Sequence, residues 1–282
     1  MNKFASKIFI DGGVADETRQ AKDLLGYLSG QTTNPTLIAK NLAASMGGKK
    51  LSEEEALGQY KKIVQEINNI IPDGSISIQV FANRETKSDE MLVQARARNK
   101  WIPNASIKFP CIKEGLKAAS QACREMPINI TLAFSQAQAT AVYEATKEAK
   151  FPVFISPFVG RLDDKGENGM DVVKNIIEMD RDLDHRVEVL TASIRNIDHI
   201  LYALQLSSNI ITIPFKVFKS WGEGGFREPE KEYQYPSSNL KPIPYDETIK
   251  LGRNWQEYDL SHPLTEAGVQ RFWDDWMGVV QQ

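Results

Sequence analysis

The stretch "NASIKFPCIKEGLKAASQACRE", Asn104 to Glu125, reads as one strand followed by one helix. Ile107 and Phe109 alternate with Ser106 and Lys108, and Pro110 closes the run, as expected of a short strand over 105–110. Helix-forming residues then fill 113–125. One residue does not fit a plain strand. Lysine is almost never buried without a partner, so Lys108 either reaches water or is an amine placed deliberately in a dry environment. A desolvated amine gives up its proton more easily and becomes a nucleophile toward carbonyls.

The same unit recurs along the chain. Strand-like runs cover 7–12, 30–35, 75–81, 105–110, 128–134, 152–158, 186–194 and 209–215, and helix-like segments fill most of the gaps. In the segment before the third strand, Leu57, Tyr60, Ile63, Val64 and Ile67 return every three or four positions. Eight strand–helix alternations predict a parallel (β/α)8 TIM barrel. An open doubly wound sheet shares this periodicity, but no GxGxxG follows the first strand. The expected organisation is a single domain over 1–282, with barrel strands within 7–215 and an irregular C-terminal extension, 216–282, that ends in a helix.

Strand parity adds a second layer. Ile8 and Ile10 oppose Phe9 and Asp11; Ile76, Ile78 and Val80 oppose Ser77, Gln79 and Phe81; Ile128, Ile130 and Leu132 oppose Asn129, Thr131 and Ala133. The seventh run sets Leu190, Ala192 and Ile194 against Thr191, Ser193 and Arg195. One face is apolar, for helices to cover; the other carries polar groups toward the carboxyl end, where barrel active sites form. Asp11, Asn34, Gln79, Lys108, Asn129, Thr131, Ser156 and Ser193 are therefore expected to converge. Taken singly, a strand-end Asp, Asn or Ser is a turn former or a helix cap; eight on one parity point to an interior site.

Composition narrows the partners. The 282 residues are 41% hydrophobic and 25% charged, with net charge −3, an ordinary globular balance without a general basic surface for nucleic acid. Cys111 and Cys123 are the only cysteines and give no disulfide framework. No apolar run approaches the roughly 20 residues of a membrane span, and "MNKFASKIFIDGG" lacks the apolar core of a signal peptide. A cytoplasmic setting is expected.

Six blocks together resemble the transaldolase family: "FIDG" with Asp11, "TTNPTLIAK" with Asn34, "SIKFPCIKEGLKA" with Lys108, "NITLAFSQAQA" with Asn129 and Thr131, "ISPFVGRLDD" with Ser156 and Arg161, and "LTASIRN" with Ser193 and Arg195. They occur in the family's order, and the closing "HPLTEAGVQRFWDDW" is similar to its C-terminal helix. The resemblance implies a class I aldolase-type barrel and Schiff-base chemistry with neither metal nor organic cofactor. It assigns Lys108 the attack on a ketose carbonyl, Asp11 the general-base step on the C4 hydroxyl, and Thr131 proton transfer through a water. Asn34, Asn129 and Ser156 would hold the dihydroxyacetone unit. Arg161, Ser193 and Arg195 would bind the substrate phosphate, for which paired guanidiniums are well suited. The plainer reading of Arg161 is a salt bridge to Asp163 or Asp164. Small-molecule sugar phosphates and further copies of the same chain, as a homo-oligomer, are the expected partners, with no nucleic acid and no membrane.

The family pattern is departed from in places. Gln79 stands where transaldolases commonly place a Glu that works on the catalytic water, and the fructose-6-phosphate aldolase branch also carries Gln there. That branch pairs it with a Tyr at the position of Phe158, which here has no hydroxyl. Gly12–Gly13 replaces a hydroxyl residue after Asp11, and Cys111–Ile112 a hydroxylated stretch after Lys108; Cys111 reads as packing. Transaldolase, fructose-6-phosphate aldolase and a non-catalytic sugar-phosphate-binding protein are the three functions this pattern leaves open. From Trp221 to about Ser261 the chain reads as an irregular excursion, a lid or an interface segment, before a helix capped by Thr265 with Phe272, Trp273 and Trp276 as an aromatic stripe. His185, His199 and His262 show no ligand spacing.

Overall fold

The computed structural model describes residues 3–47, 49–181 and 186–281. Eight parallel strands close into a barrel in chain order: β1 (Lys7–Asp11), β2 (Gly30–Thr32), β3 (Ser75–Gln79), β4 (Ala105–Pro110), β5 (Ile128–Ala133), β6 (Val153–Pro157), β7 (Val187–Thr191) and β8 (Ile210–Pro214). Each lies within one of the eight runs expected from the sequence. Pro110, Pro157 and Pro214 are the last residues of their strands, where a missing N–H ends the ladder at little cost.

The helices are α1 (Ala15–Leu25), α2 (Pro35–Ser45), α3 (Glu53–Ile70), α4 (Ser88–Asn99), α5 (Lys113–Ala122), α6 (Gln136–Ala145), α7 (Val159–Asp163), α8 (Gly169–Asp180), α9 (Ile197–Gln205), α10 (Phe215–Glu223) and α11 (Pro263–Met277). The predicted stripe of α3 is the buried one, with Tyr60, Val64 and Ile67 inaccessible to solvent. A capping box starts this helix: Ser52 Oγ accepts from Glu55 N–H at 3.2 Å, and Glu55 Oε2 accepts from Ser52 N–H at 2.8 Å. Helices α2, α7 and α10 are additional to those expected. Helix α8 ends at Asp180, and His185 lies outside the described residues.

Beyond α10 the chain is irregular until α11, apart from a short turn at Trp255–Glu257. It is nevertheless tied to the barrel. Lys241 exchanges backbone bonds with Gly166 (2.7 Å) and Asn168 (2.8 Å), and Gln136 holds both backbone groups of Asp246. Helix α11 then packs against α2 and over the barrel mouth. Its cap is His262, not Thr265. His262 Nδ1 accepts from Leu264 N–H at 3.2 Å, and Pro263 takes the first helical position, where its absent N–H is no loss. Thr265 is used otherwise, donating to Leu132 O at 2.9 Å. Past α11, Leu51 and the chain end form a backbone bridge, Leu51 N–H to Val279 O (2.9 Å) and Gln281 N–H to Leu51 O (2.7 Å).

Candidate active site

Register sets the site. Gln79, Lys108 and Asn129 lie side by side on β3, β4 and β5, and Asp11 lies beside Thr32 on β1 and β2. Lys108 is the interior amine that parity predicted, only 2% exposed. Its Nζ donates to the carbonyl of Thr33 at 3.2 Å. Burial pulls its pKa down to about 8; Asp11 works against this shift and Arg161 with it. Burial likewise raises the Asp11 carboxyl, against Lys108, the Thr32 hydroxyl, Arg161 and Arg195. Both groups are shifted toward their neutral forms, which suits a nucleophilic amine beside an acid–base carboxyl.

Hydroxyls and amides line the rest of the interior. Thr32 Oγ1 donates to Asp11 Oδ1 at 2.7 Å, so Thr212 must donate to Thr32, whose one proton is already spent (Oγ1–Oγ1 2.7 Å). Ser156 donates to Asn129 Oδ1 at 2.7 Å, and Asn129 Nδ2 donates to Ser77 Oγ at 3.1 Å. Three further atoms, Gln79 Oε1, Ser106 Oγ and Thr131 Oγ1, are buried with no hydrogen-bond partner within the protein. Such groups cost stability; Gln79 and Thr131 lie in the carboxyl halves of β3 and β5, the end where a barrel meets its ligands, whereas Ser106 is the second residue of β4, toward the opposite end.

The two arginines arrive by different routes. Arg161 is half-buried on α7, its guanidinium 5.1 Å from the Phe158 ring and 5.3 Å from that of Phe272 on α11. Burial, then Arg271 and Arg195, lower its pKa to about 10. The plainer reading fails for it and holds for the other arginine: Arg195 Nη2 meets Asp164 Oδ2 at 2.9 Å, while Asp163 receives His199 Nε2–H and the Tyr235 hydroxyl, each at 2.7 Å. Strand parity does not deliver Ser193 and Arg195, because β7 ends at Thr191. Ser193 adopts a left-handed backbone (φ 63°), and the loop brings its carbonyl against Gly160. A Cβ on Gly160 would lie 2.2 Å from Ser193 O and 2.5 Å from Arg195 Cγ; only glycine lets these loops close together.

A sequence model of the "Transaldolase/Fructose-6-phosphate aldolase" family matches residues 8–282. The chain belongs to this transaldolase family. Similar curated proteins are each named "Probable transaldolase". That of Dehalococcoides mccartyi is 32% identical over 274 residues, covering 97% of this chain and 99% of that protein. That of Thermoplasma volcanium is 33% identical over 274 residues, covering 97% and 96%. In Clostridium botulinum the identity is 40% over 212 residues, covering 75% and 86%. Among solved structures, the trigonal crystal form of 2,3-dimethylmalate lyase is matched at 14% identity and TM-score 0.45, over 82% of this chain and 84% of that one.

Within the transaldolase-family barrel, Asn34 is also the cap of α2: its Oδ1 accepts from Leu37 N–H at 3.0 Å. Here the single-residue reading is correct: Asn34, two residues beyond β2, caps the helix with its side-chain oxygen. Cys111 is wholly buried, and burial pushes its thiol up to about 12, consistent with packing. Phe158 is buried, edge-on to Phe134 at 6.1 Å. Two residues of the α11 aromatic stripe are core, Trp276 stacking on Phe81 at 4.0 Å and Phe272 facing Arg161, while Trp273 is only partly buried. Sequence reasoning missed Thr32, Thr33 and Tyr60. Thr32 was reachable by applying parity to β2; Thr33 and Tyr60 act from a loop and a helix, where period-two reasoning has no purchase. Among the described residues, no His, Cys, Asp and Glu side chains group as a metal site, and no helix is long and apolar enough to cross a membrane.

Proposed function

We propose that this protein is a transaldolase, moving dihydroxyacetone from a ketose phosphate such as fructose 6-phosphate or sedoheptulose 7-phosphate to an aldose phosphate in the cytoplasmic pentose phosphate pathway. The observation that carries the reading is the dry amine of Lys108, lowered to about 8 and under the field of Asp11. Lys108 Nζ attacks C2 of the ketose, and loss of water leaves a protonated imine. Asp11 takes the C4 hydroxyl proton as the C3–C4 bond breaks; the bonding pair moves into the imine, leaving an enamine, and the aldehyde phosphate departs. The enamine carbon attacks the acceptor aldehyde, the proton returns, and water releases the new ketose.

Support for the other roles is geometric. Asn129 and Ser156 are already bonded to each other beside Lys108, suited to the hydroxyls of a three-carbon unit. Thr131 Oγ1 and Gln79 Oε1 are unsatisfied and suit a water on the reaction path. Gln79 positions a water but accepts no proton. Arg161, Arg195 and Ser193 are brought together by the Gly160 contact and suit a phosphate. Phe158, lacking a hydroxyl, favours transfer over release of free dihydroxyacetone.

Gln79 favours a second reading, fructose-6-phosphate aldolase. The test is fructose 6-phosphate with and without erythrose 4-phosphate, following glyceraldehyde 3-phosphate. Dependence on the acceptor is the expected result. Release without it makes the protein an aldolase, and tight binding without release makes it a sugar-phosphate-binding protein on this fold.

A further inference from the structure

We propose that Tyr60, outside the barrel on α3, is a positioning residue for Lys108, acting through the peptide of Thr33. The proposal rests on the Schiff-base reading above. Tyr60 is fully buried, its ring edge-on to Trp101 at 5.4 Å. Its hydroxyl oxygen lies 2.6 Å from Thr33 Oγ1 and accepts from Gln79 N–H at 3.1 Å. Thr33 Oγ1 gives its single proton to Ser77 O at 2.8 Å, so Tyr60 is the donor in the Tyr60–Thr33 bond. Thr33 N–H also donates to Ser77 O, at 3.1 Å. One phenol thus ties the segment after β2 to the end of β3, and the Thr33 carbonyl so fixed is the acceptor for Lys108 Nζ at 3.2 Å.

The direction of that carbonyl matters to the chemistry. In the neutral amine it takes one of two N–H bonds and so aims the lone pair. In the protonated imine formed by loss of water, nitrogen keeps a single N–H, and the same carbonyl is the acceptor at hand. Charged groups acting on Lys108 are Asp11 from β1 and Arg161 from α7; on Tyr60 the one acting is Arg98 from α4. With the Thr33 peptide released, the amine is freer to approach Asp11, which favours its charged form.

The test is Tyr60→Phe, compared with wild type by borohydride trapping on fructose 6-phosphate, reading the Lys108 peptide mass across pH. Expected are a trapping midpoint moved upward from the wild-type value, kcat lowered roughly 10-fold as for a misplaced reacting group, and KM little changed. Thr33→Val should reproduce these effects, and Thr33→Ser, which keeps the hydroxyl, should restore the wild-type midpoint. Should Tyr60→Phe not fold, the Thr33 pair decides. A lower melting temperature with unmoved midpoint and kcat makes Tyr60 merely structural and overturns the proposal alone. A wild-type enzyme that traps nothing at Lys108 overturns the Schiff-base reading, and this proposal with it.

Discussion

Arg195 and Asp164 form an exposed ion pair, Nη2 to Oδ2 at 2.9 Å, at the rim of the barrel mouth. The solvent-facing arginine of the candidate phosphate site is therefore already engaged by an anion, whereas Arg161 lies between the rings of Phe158 and Phe272. A phosphate arriving at Arg195 must displace or share that carboxylate. Asp164→Asn should tighten the KM for fructose 6-phosphate by roughly 1.5- to 5-fold, since exposed pairs are worth about 0.2–1 kcal/mol, and the gain should shrink in high salt. A KM that weakens instead would mean that Asp164 orients Arg195 for phosphate rather than competing with it.

Gly160→Ala tests the closure of the two loops. The added methyl must push Ser193 and Arg195 away. Loss of a charge-assisted bond is worth about 1.5–3 kcal/mol, so kcat/KM for phosphorylated donors should fall roughly 10- to 100-fold, as should that of Arg195→Ala. Unphosphorylated dihydroxyacetone-type donors should be much less affected. Equal losses for both donor types would remove this loop pair from phosphate recognition.

On the Schiff-base proposal, Lys108 sets the pH dependence of the first step. Its folded pKa, about 8, lies below that of an ordinary lysine because burial disfavours the charge. The trapping rate should therefore rise about tenfold per pH unit below 8 and level off above it. Stability follows with the same sign: between about 8 and the usual lysine range the unfolded chain binds more protons, so stability rises with pH there. Chemical denaturation of Lys108→Met across this window should show that rise diminished.

Phe158→Tyr addresses the choice between transfer and release. Without a proton donor beside the carbanionic carbon, the dihydroxyacetone enamine should persist until an acceptor arrives. A hydroxyl at this position should speed protonation, with general acid assistance worth about 10²–10⁴-fold when well aligned. The quantity to compare is cleavage without acceptor divided by transfer, in wild type and variant. An unchanged ratio in a folded variant would show that Phe158 does not select the reaction.

Parity served the interior where strands persist. Lys108, Gln79, Asn129 and Thr131 belong to β3–β5, and side-chain alternation sets them on the face opposite the isoleucines of those strands, although burial itself does not distinguish the faces, since every residue of β4 and β5 is buried. It stopped serving at Ser193, where β7 has ended and a positive φ redirects the chain. Asn34 shows the opposite limit: an Asn–Pro pair signals a helix start, but the strand-like run over 30–35 spans that pair and hides the start of α2. The long segment before α11 was legible only as irregular. Its attachments are backbone and single side-chain bonds, such as Lys241 to Gly166 and Tyr235 to Asp163, and these leave no periodic trace. The contact of Arg161 with Phe272 joins residues more than a hundred positions apart, and no local pattern announces it.

The helix over the mouth, α11, follows every strand in the chain and is secured by the bridge between Leu51 and Val279–Gln281. It supplies the Phe272 ring against Arg161 and stacks Trp276 on Phe81. Competence of the site is thus coupled to the seating of one late helix: with α11 undocked, the barrel would still hold Lys108 but leave its mouth uncovered.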